Sequence, residues 1–215
     1  MINDPIEKWV QVDSEQHYDP IKYLPPSRMA SIAYQYRFMA EHFPKSSVLE
    51  IGVGAGLTTA ILRQIGHSVT TLDVDNRLKP DLTGSITDLP CSDHQFNTVL
   101  CCQVLEHLPW DTVDTALQEM NRVVDTGAVV SVPTNQPTWL VMKYDSKSSG
   151  TRRIRLGSRT NKPMRVKNGE HYWELEANIR TSDFRIKLKD AGFKIVKELQ
   201  PFENMFHHFF ILKKT

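Results

Sequence analysis

The chain predicts an α/β domain built on a mostly parallel sheet, and three observations carry that prediction. Short apolar runs alternate with amphipathic helical patterns through the first two thirds of the sequence. The first of the central runs, "SVLEI", leads straight into a cluster of three glycines, Gly52, Gly54 and Gly56. Near the C-terminus two further apolar runs, 193–199 and 206–212, are separated by little more than "QPFEN", so they are expected to pair antiparallel. Helices on both faces of a parallel sheet that ends in a hairpin satisfy all three.

Each element has its own signal. Residues 27–43, "SRMASIAYQYRFMAEHF", read as an amphipathic helix suited to lie over the strand ends. A strand at 47–51 is followed by a helical pattern at 57–66 and a second strand at 68–74. A third strand, 96–103, precedes a helix over 111–124, with Asp111 and Asp114 as a start signal and Gly127 as a stop. Another strand follows at 127–132, and the last helix runs from Thr181 to Ala191, stopped by Gly192.

Whole-chain properties narrow the class. At 215 residues the chain is most simply one domain, and its net charge of +1 selects no partner. No apolar run approaches the ~18 residues of a membrane span, and the start "MINDPIEKWV" lacks a signal peptide's apolar stretch. Three cysteines are an odd number, Cys101 and Cys102 are adjacent, and no Cys-x-x-Cys pair exists. Neither a disulfide framework nor a cysteine zinc site is supported, and a reduced cytoplasmic protein is expected.

The glycine cluster is the most informative stretch. A strand, a glycine-rich turn and a helix set backbone N–H groups at a helix N-terminus, ready for a polar or anionic ligand. Asp73 ends the next strand about 20 residues further on, where an acid reaches ribose hydroxyls. A nucleoside-bearing cofactor is expected. The dinucleotide fingerprint G-x-G-x-x-G requires a glycine where Leu57 stands, which disfavours a nicotinamide-dependent oxidoreductase.

Read from Glu50, the pattern is E-x-G-x-G-x-G, and it resembles the first motif of class I S-adenosylmethionine-dependent methyltransferases. "TLDVD" resembles the second motif of that family. "GSITDLPCSDHQFNTVLCC" resembles the run ahead of its fourth strand, and "QVLEHLP" resembles the segment after that strand in the type-11 group. The resemblance spans residues 47–133 in the family's order. It implies a Rossmann-like seven-stranded sheet with an antiparallel, inserted C-terminal strand, and S-adenosyl-L-methionine as cofactor. It also implies cofactor contacts at Glu50, Gly52, Gly54, Gly56, Asp73, Val74, Ser85, Ile86 and Gln103. Two positions depart from the pattern: Ser85 replaces an acid beside the adenine, and Asn97 replaces an aspartate. On this reading residues 1–46 form a helical cover, 47–133 the cofactor core, 134–176 an acceptor-side insertion, and 177–215 the closing helix and hairpin.

A sulfonium methyl is already activated, so the chemistry asks mainly for positioning, with a base only where the acceptor arrives protonated. His107, in "LEHLP", and His171, in "NGEHYWELE", are the candidate catalytic groups, with Tyr172 and Trp173 as candidate walls of an acceptor pocket. No metal is expected. Some O-methyltransferases hold a divalent cation with E-x-x-E-H and a later histidine, but Gln103 stands here in place of the first carboxylate. Glu106, His107 and His171 would remain as ligands.

The acceptor side is strongly basic. Residues 143–167 hold nine Lys or Arg against one acid, Asp145, a local charge of +8 that leaves −7 for the rest of the chain. Arg152, Arg153 and Arg155 are the candidate acceptor contacts. An anionic small molecule, or a sugar-phosphate or lipid-linked intermediate, fits this segment. RNA fits less well, because few aromatics are interleaved with the charges. A non-catalytic cofactor-binding regulator is the reading from another class. The residues do not select between O- and N-methylation, nor do they set an oligomeric state.

Overall fold

The computed structural model describes residues 23–135 and 171–215, together with the backbone of 140–146 and 150–156. Helix α1 (Pro26–His42) precedes β1 (Ser47–Ile51), α2 (Leu57–Gln64), β2 (Ser68–Asp73) and the short β3 (Leu82–Thr83). Then come β4 (Phe96–Cys102), α3 (Val113–Val123), β5 (Val124–Pro133), and a separate ribbon of β6 (Leu140–Ser146) and β7 (Gly150–Leu156). Helix α4 (Thr181–Asp190), β8 (Phe193–Leu199) and β9 (His207–Lys214) complete the chain.

Seven strands form one sheet in the order β3-β2-β1-β4-β5-β9-β8. Strands β1 to β5 run parallel, whereas β9 lies antiparallel between β5 and β8. The predicted fold class, including the inserted last strand, is what the structure shows. The apolar runs are continuous because both faces of the sheet are covered. Leu49, Ile51, Val99, Cys101, Val130 and Phe210 pack on one side with Ala116, Leu117 and Met120 of α3 and Phe184 and Leu188 of α4. Val48, Leu100, Val129, Phe209 and Ile211 pack on the other with Phe38 and Met39 of α1 and Leu62 of α2. The period-2 alternation along each strand thus sorts its residues between two cores.

Three local expectations need correction. Helix α1 is not confined to the strand ends; Phe38 and Met39 seat it along a sheet face, and it meets the rim through Arg28, which acts on Glu106 and His207, and through Gln35, which accepts from Thr58 Oγ1. Asp111 does not cap α3, whose N-cap residue is Thr112 with no side-chain cap bond. Gly127 is not a helix stop. Helix α3 passes directly into β5 at Val124, and Gly127 sits inside the strand opposite Thr98 and Lys213. A Cβ there would lie 2.1 Å from the Leu212 carbonyl oxygen, so glycine is required for β9 to pass.

Gly127→Ala should therefore force β5 and β9 apart and lower stability by about 1–3 kcal/mol. Urea unfolding is the measurement, and an unchanged midpoint would mean that β9 yields without cost.

Candidate active site

The carboxyl ends of β1, β2 and β4 converge on one groove. It is lined by Ile51 and Gly52, by Leu72, Asp73 and Val74, by Gly84, Ser85 and Ile86, and by Val104, His107 and Leu108. This is where ligands of open α/β sheets bind, because the strand ends leave a crevice between loops.

The glycine loop builds one wall. Gly52, Gly54 and Gly56 have φ values of 85°, 54° and 72°, a left-handed backbone that side-chain-bearing residues rarely adopt. Gly52 has a second reason to be glycine, since its Cβ would come within 2.5 Å of Val104 Cγ2. Asp73 holds the loop in place. Its carboxylate accepts hydrogen bonds from Val53 N at 2.9 Å and from Asp75 N at 3.0 Å, which ties the β1 loop to the end of β2. Burial raises the Asp73 pKa, and the backbone donors of Asp75, Val53 and Val74 counter it. Asp75 serves as a cap, accepting from Arg77 N and pairing with the Arg77 guanidinium.

Of the expected cofactor residues, Gly52, Asp73, Val74, Ser85 and Ile86 line the groove together. Ser85 also closes a turn, with its Oγ 2.8 Å from Thr87 Oγ1 and its carbonyl accepting from Asp88 N. Glu50 is buried next to the groove and accepts from Thr59 Oγ1 at 2.6 Å. Gln103 is turned toward β5: its N–H donates to Ser131 O at 2.8 Å, and its Nε2 lies 3.3 Å from Ser131 Oγ. Val104 and Leu108 lie in "QVLEHLP" but were not among the expected contacts. They reach the groove because the chain makes a 3-10 turn over Leu105–His107 immediately after β4.

That turn also places the polar end of the site. His107 lines the groove, and its ring centroid is 5.0 Å from that of His171 in an edge-on arrangement. The two segments are joined by a hydrogen bond from Tyr172 N to Glu106 O at 2.8 Å. The return of the insertion is pinned to β5 by Leu175 N donating to Pro133 O at 3.0 Å and Asn135 N donating to Leu175 O at 2.8 Å. His171 Nδ1 lies 2.9 Å from Oε1 of Glu174, and Phe206 stacks on the His171 ring. Glu174 was not anticipated; its only sequence signal is its place three residues after His171.

Glu106 and Glu174 are both fully buried. Neither oxygen of Glu106, nor Oε2 of Glu174, has a hydrogen-bond partner among the described residues. Burial, reinforced by the charge of Glu174, pushes the Glu106 carboxyl up to about 8, against weaker opposing effects from its own backbone N–H and Arg28. Glu106, His107 and His171 offer ligand atoms all within 4.8 Å of one another, so these three are the described residues able to hold a metal ion.

The aromatic walls separate. Tyr172 is 51% exposed, but Trp173 is fully buried. Trp173 donates from Nε1 to Leu108 O at 3.1 Å and packs on Trp110 and Phe184. It supports the site from the core and does not face an acceptor. Arg152, Arg153 and Arg155 stand on β7 opposite Tyr144, Lys143 and Val141, and their side chains lie outside the described residues, as do 147–149 and 157–170 of the basic segment.

Glu50 gives the cofactor-free protein a testable pH dependence. Burial raises its carboxyl from 4.5 to about 7, ahead of the lowering effects of Thr59 and Arg63. Below 4.5 the folded and unfolded states are both protonated there, and Glu50 contributes no penalty. As the pH rises toward 7 the unfolded chain releases a proton that the folded protein keeps, so stability falls and then levels off. Glu50→Gln should remove up to about 3 kcal/mol of that decline, at ~1.4 kcal/mol per pKa unit. Urea unfolding of both proteins at pH 5 and pH 8 checks this; parallel pH dependences would contradict it.

Comparisons with known proteins agree with the groove. Residues 49–132 match a family model described as a methyltransferase domain, of the type-11 group. No curated protein matches the chain. Among solved structures, the Burkholderia thailandensis 1,6-didemethyltoxoflavin-N1-methyltransferase is 17% identical, with a TM-score of 0.62 over 98% of this chain and 86% of that one. A Pyrococcus horikoshii protein is 12% identical, with a TM-score of 0.64 over 95% of this chain and 100% of its own. The magnesium protoporphyrin IX methyltransferase of Synechocystis is 14% identical, with a TM-score of 0.58 over 95% and 89%. At these identities the structural likeness establishes the fold alone. With the motifs of residues 47–133, the match to the family model makes residues 49–132 similar to the type-11 group of class I S-adenosylmethionine-dependent methyltransferases.

Proposed function

We propose that the protein transfers a methyl group from S-adenosylmethionine to an anionic small-molecule acceptor that enters from the side of residues 134–176. The observation that carries this reading is the continuity of the groove: it begins at the glycine loop and Asp73 and ends at His107, beside His171. The residues fit a nucleoside. The Asp73 carboxylate supplies acceptors for ribose hydroxyls, and Leu72, Val74, Ile86 and Leu108 supply apolar walls for a base. Bound there, the cofactor supplies a methyl group already activated on a sulfonium.

The chain's own contribution is then geometric. Holding two reactants in attack geometry supplies roughly 7–11 kcal/mol of barrier reduction. His107 and His171 stand where the attacking atom of the acceptor must arrive, and the hydrogen bond from Tyr172 N to Glu106 O keeps their segments in register. The Burkholderia relative was crystallised with 1,6-didemethyltoxoflavin and S-adenosylhomocysteine, which supports a small-molecule acceptor here.

Arg152, Arg153 and Arg155 are the proposed anion-binding group, in a segment with a local charge of +8. Guanidinium groups match carboxylate and phosphate oxygens through their planar fork.

Three outcomes test the reading. Incubated with methyl-labelled cofactor and cell metabolites separated by anion exchange, the protein should label the retained, acidic fraction; label only in the flow-through would end the anionic-acceptor proposal. Asp73→Ala should weaken S-adenosylhomocysteine binding by roughly 1.5–3 kcal/mol, because charge-assisted hydrogen bonds are lost. Calorimetry showing equal affinity would remove the ribose assignment. With the labelled fraction as substrate, replacing Arg152, Arg153 and Arg155 together by serine should lower kcat/KM, and the loss should shrink with salt, since exposed charges are screened over about 10 Å at 0.1 M.

A further inference from the structure

We propose that Glu106, His107 and His171 bind a divalent transition-metal cation at the inner end of the groove. The ligand atoms already lie within 4.8 Å of one another. A cation with metal–ligand distances near 2.1 Å holds its donors about 3–4 Å apart, so small side-chain adjustments complete the site.

Burial argues for the cation independently of spacing. Glu106 is fully buried with neither oxygen hydrogen-bonded, and a buried carboxylate in that condition is costly unless a proton or a cation satisfies it. A second buried carboxylate, Glu174, stands close enough to raise the pKa of Glu106 and has its own Oε2 unpartnered. Arg28 is the one cationic side chain whose charge is felt at Glu106 among the described residues, and its effect ranks below those of burial and Glu174.

The arrangement of His171 matches that of a metal ligand. Its Nδ1 lies 2.9 Å from Glu174 Oε1, and in the Nδ1–H tautomer the lone pair is on Nε2. Metal-bound histidines characteristically give their second nitrogen to a carboxylate in this way. Both ligand-bearing segments are held by backbone bonds: Tyr172 N to Glu106 O, and Leu175 N to Pro133 O. The expectation of no metal rested on Gln103, which is bonded to Ser131 and is not needed by this donor set. Two imidazoles and one carboxylate suit Mn²⁺, Fe²⁺, Co²⁺ or Zn²⁺ and leave coordination positions open.

Taken with the methyl-transfer reading, on which this step rests, the open positions would suit a hydroxyl oxygen as the acceptor atom. A cation held by Glu106, His107 and His171 would lower the pKa of an acceptor hydroxyl, whose proton would pass to solvent. The oxygen lone pair then forms the bond to the methyl carbon as the carbon–sulfur bond breaks, and S-adenosylhomocysteine leaves as the neutral thioether.

The test uses the full chain, freed of metal with a chelator and without cofactor. Titrated with Co²⁺ and followed by visible absorption, it should bind about one equivalent saturably, and Mn²⁺ should compete. Glu106→Gln and His171→Ala should each weaken binding at least tenfold, and Glu174→Gln, acting through His171, by about 10–100-fold. Asp125→Asn, on an exposed residue at the opposite end of β5, should leave it unchanged. Circular dichroism and S-adenosylhomocysteine calorimetry on each variant confirm an intact fold and groove. No saturable binding up to millimolar Co²⁺ by folded protein, or binding indifferent to Glu106→Gln, overturns the proposal. A proton on Glu106 would then be what satisfies it. Because the titration omits the cofactor, its failure leaves the methyl-transfer reading standing, and failure of cofactor binding leaves the metal site standing.

Discussion

The central sheet is buried on both faces, and this constraint shapes the rest of the molecule. With Val48, Leu100 and Val129 packed against α1 and α2, and Leu49, Val99 and Val130 packed against α3 and α4, the central strands have no open face for chemistry. Parallel strands also align their carboxyl ends, so the loops after β1, β2 and β4 meet along one rim. The groove is a consequence of that alignment, and residues 30 or more positions apart in sequence become its neighbours.

At the rim, backbone geometry and charge are coupled. The Asp73 carboxylate is held by two backbone donors from different loops, so the group proposed to meet a ribose is also what fixes the glycine turn. Gly52 completes the arrangement by letting the turn approach Val104. Further along, the 3-10 turn after β4 sends Glu106 into the interior and leaves His107 on the groove. The insertion returns beside that turn and places Glu174 beneath His171. Buried acids without full hydrogen bonding are rare because they are costly, and their concentration in one corner marks it as the part of the molecule organised for function.

The hairpin end has a different logic. Strand β9 enters between β5 and β8, and Gly127 lets its backbone pass. His208 in β9 pairs with Glu198 at 2.7 Å, and His207 is held far below the usual histidine range by burial, at about 3. Both are structural features of a core strand and contribute to covering the sheet beside the site.

By itself the sequence determined the alternation of strands and helices, the antiparallel closure, the glycine turn and the acid at the end of β2. These rest on local signals: apolar periodicity, the spacing of glycines, and one carboxylate at a set distance along the chain. Helix boundaries were legible to within two or three residues where burial enforced a period, as in Val113, Ala116, Leu117 and Met120. What followed from packing was not legible. Gly127 looked like a helix stop because its reason, the Leu212 carbonyl, is 85 positions away. Trp173 looked like a pocket wall because a single sequence does not say which face of a turn meets the core. The meeting of Glu106, His107, His171 and Glu174 was decided by tertiary structure alone, since it depends on where an insertion of more than 30 residues returns to the sheet.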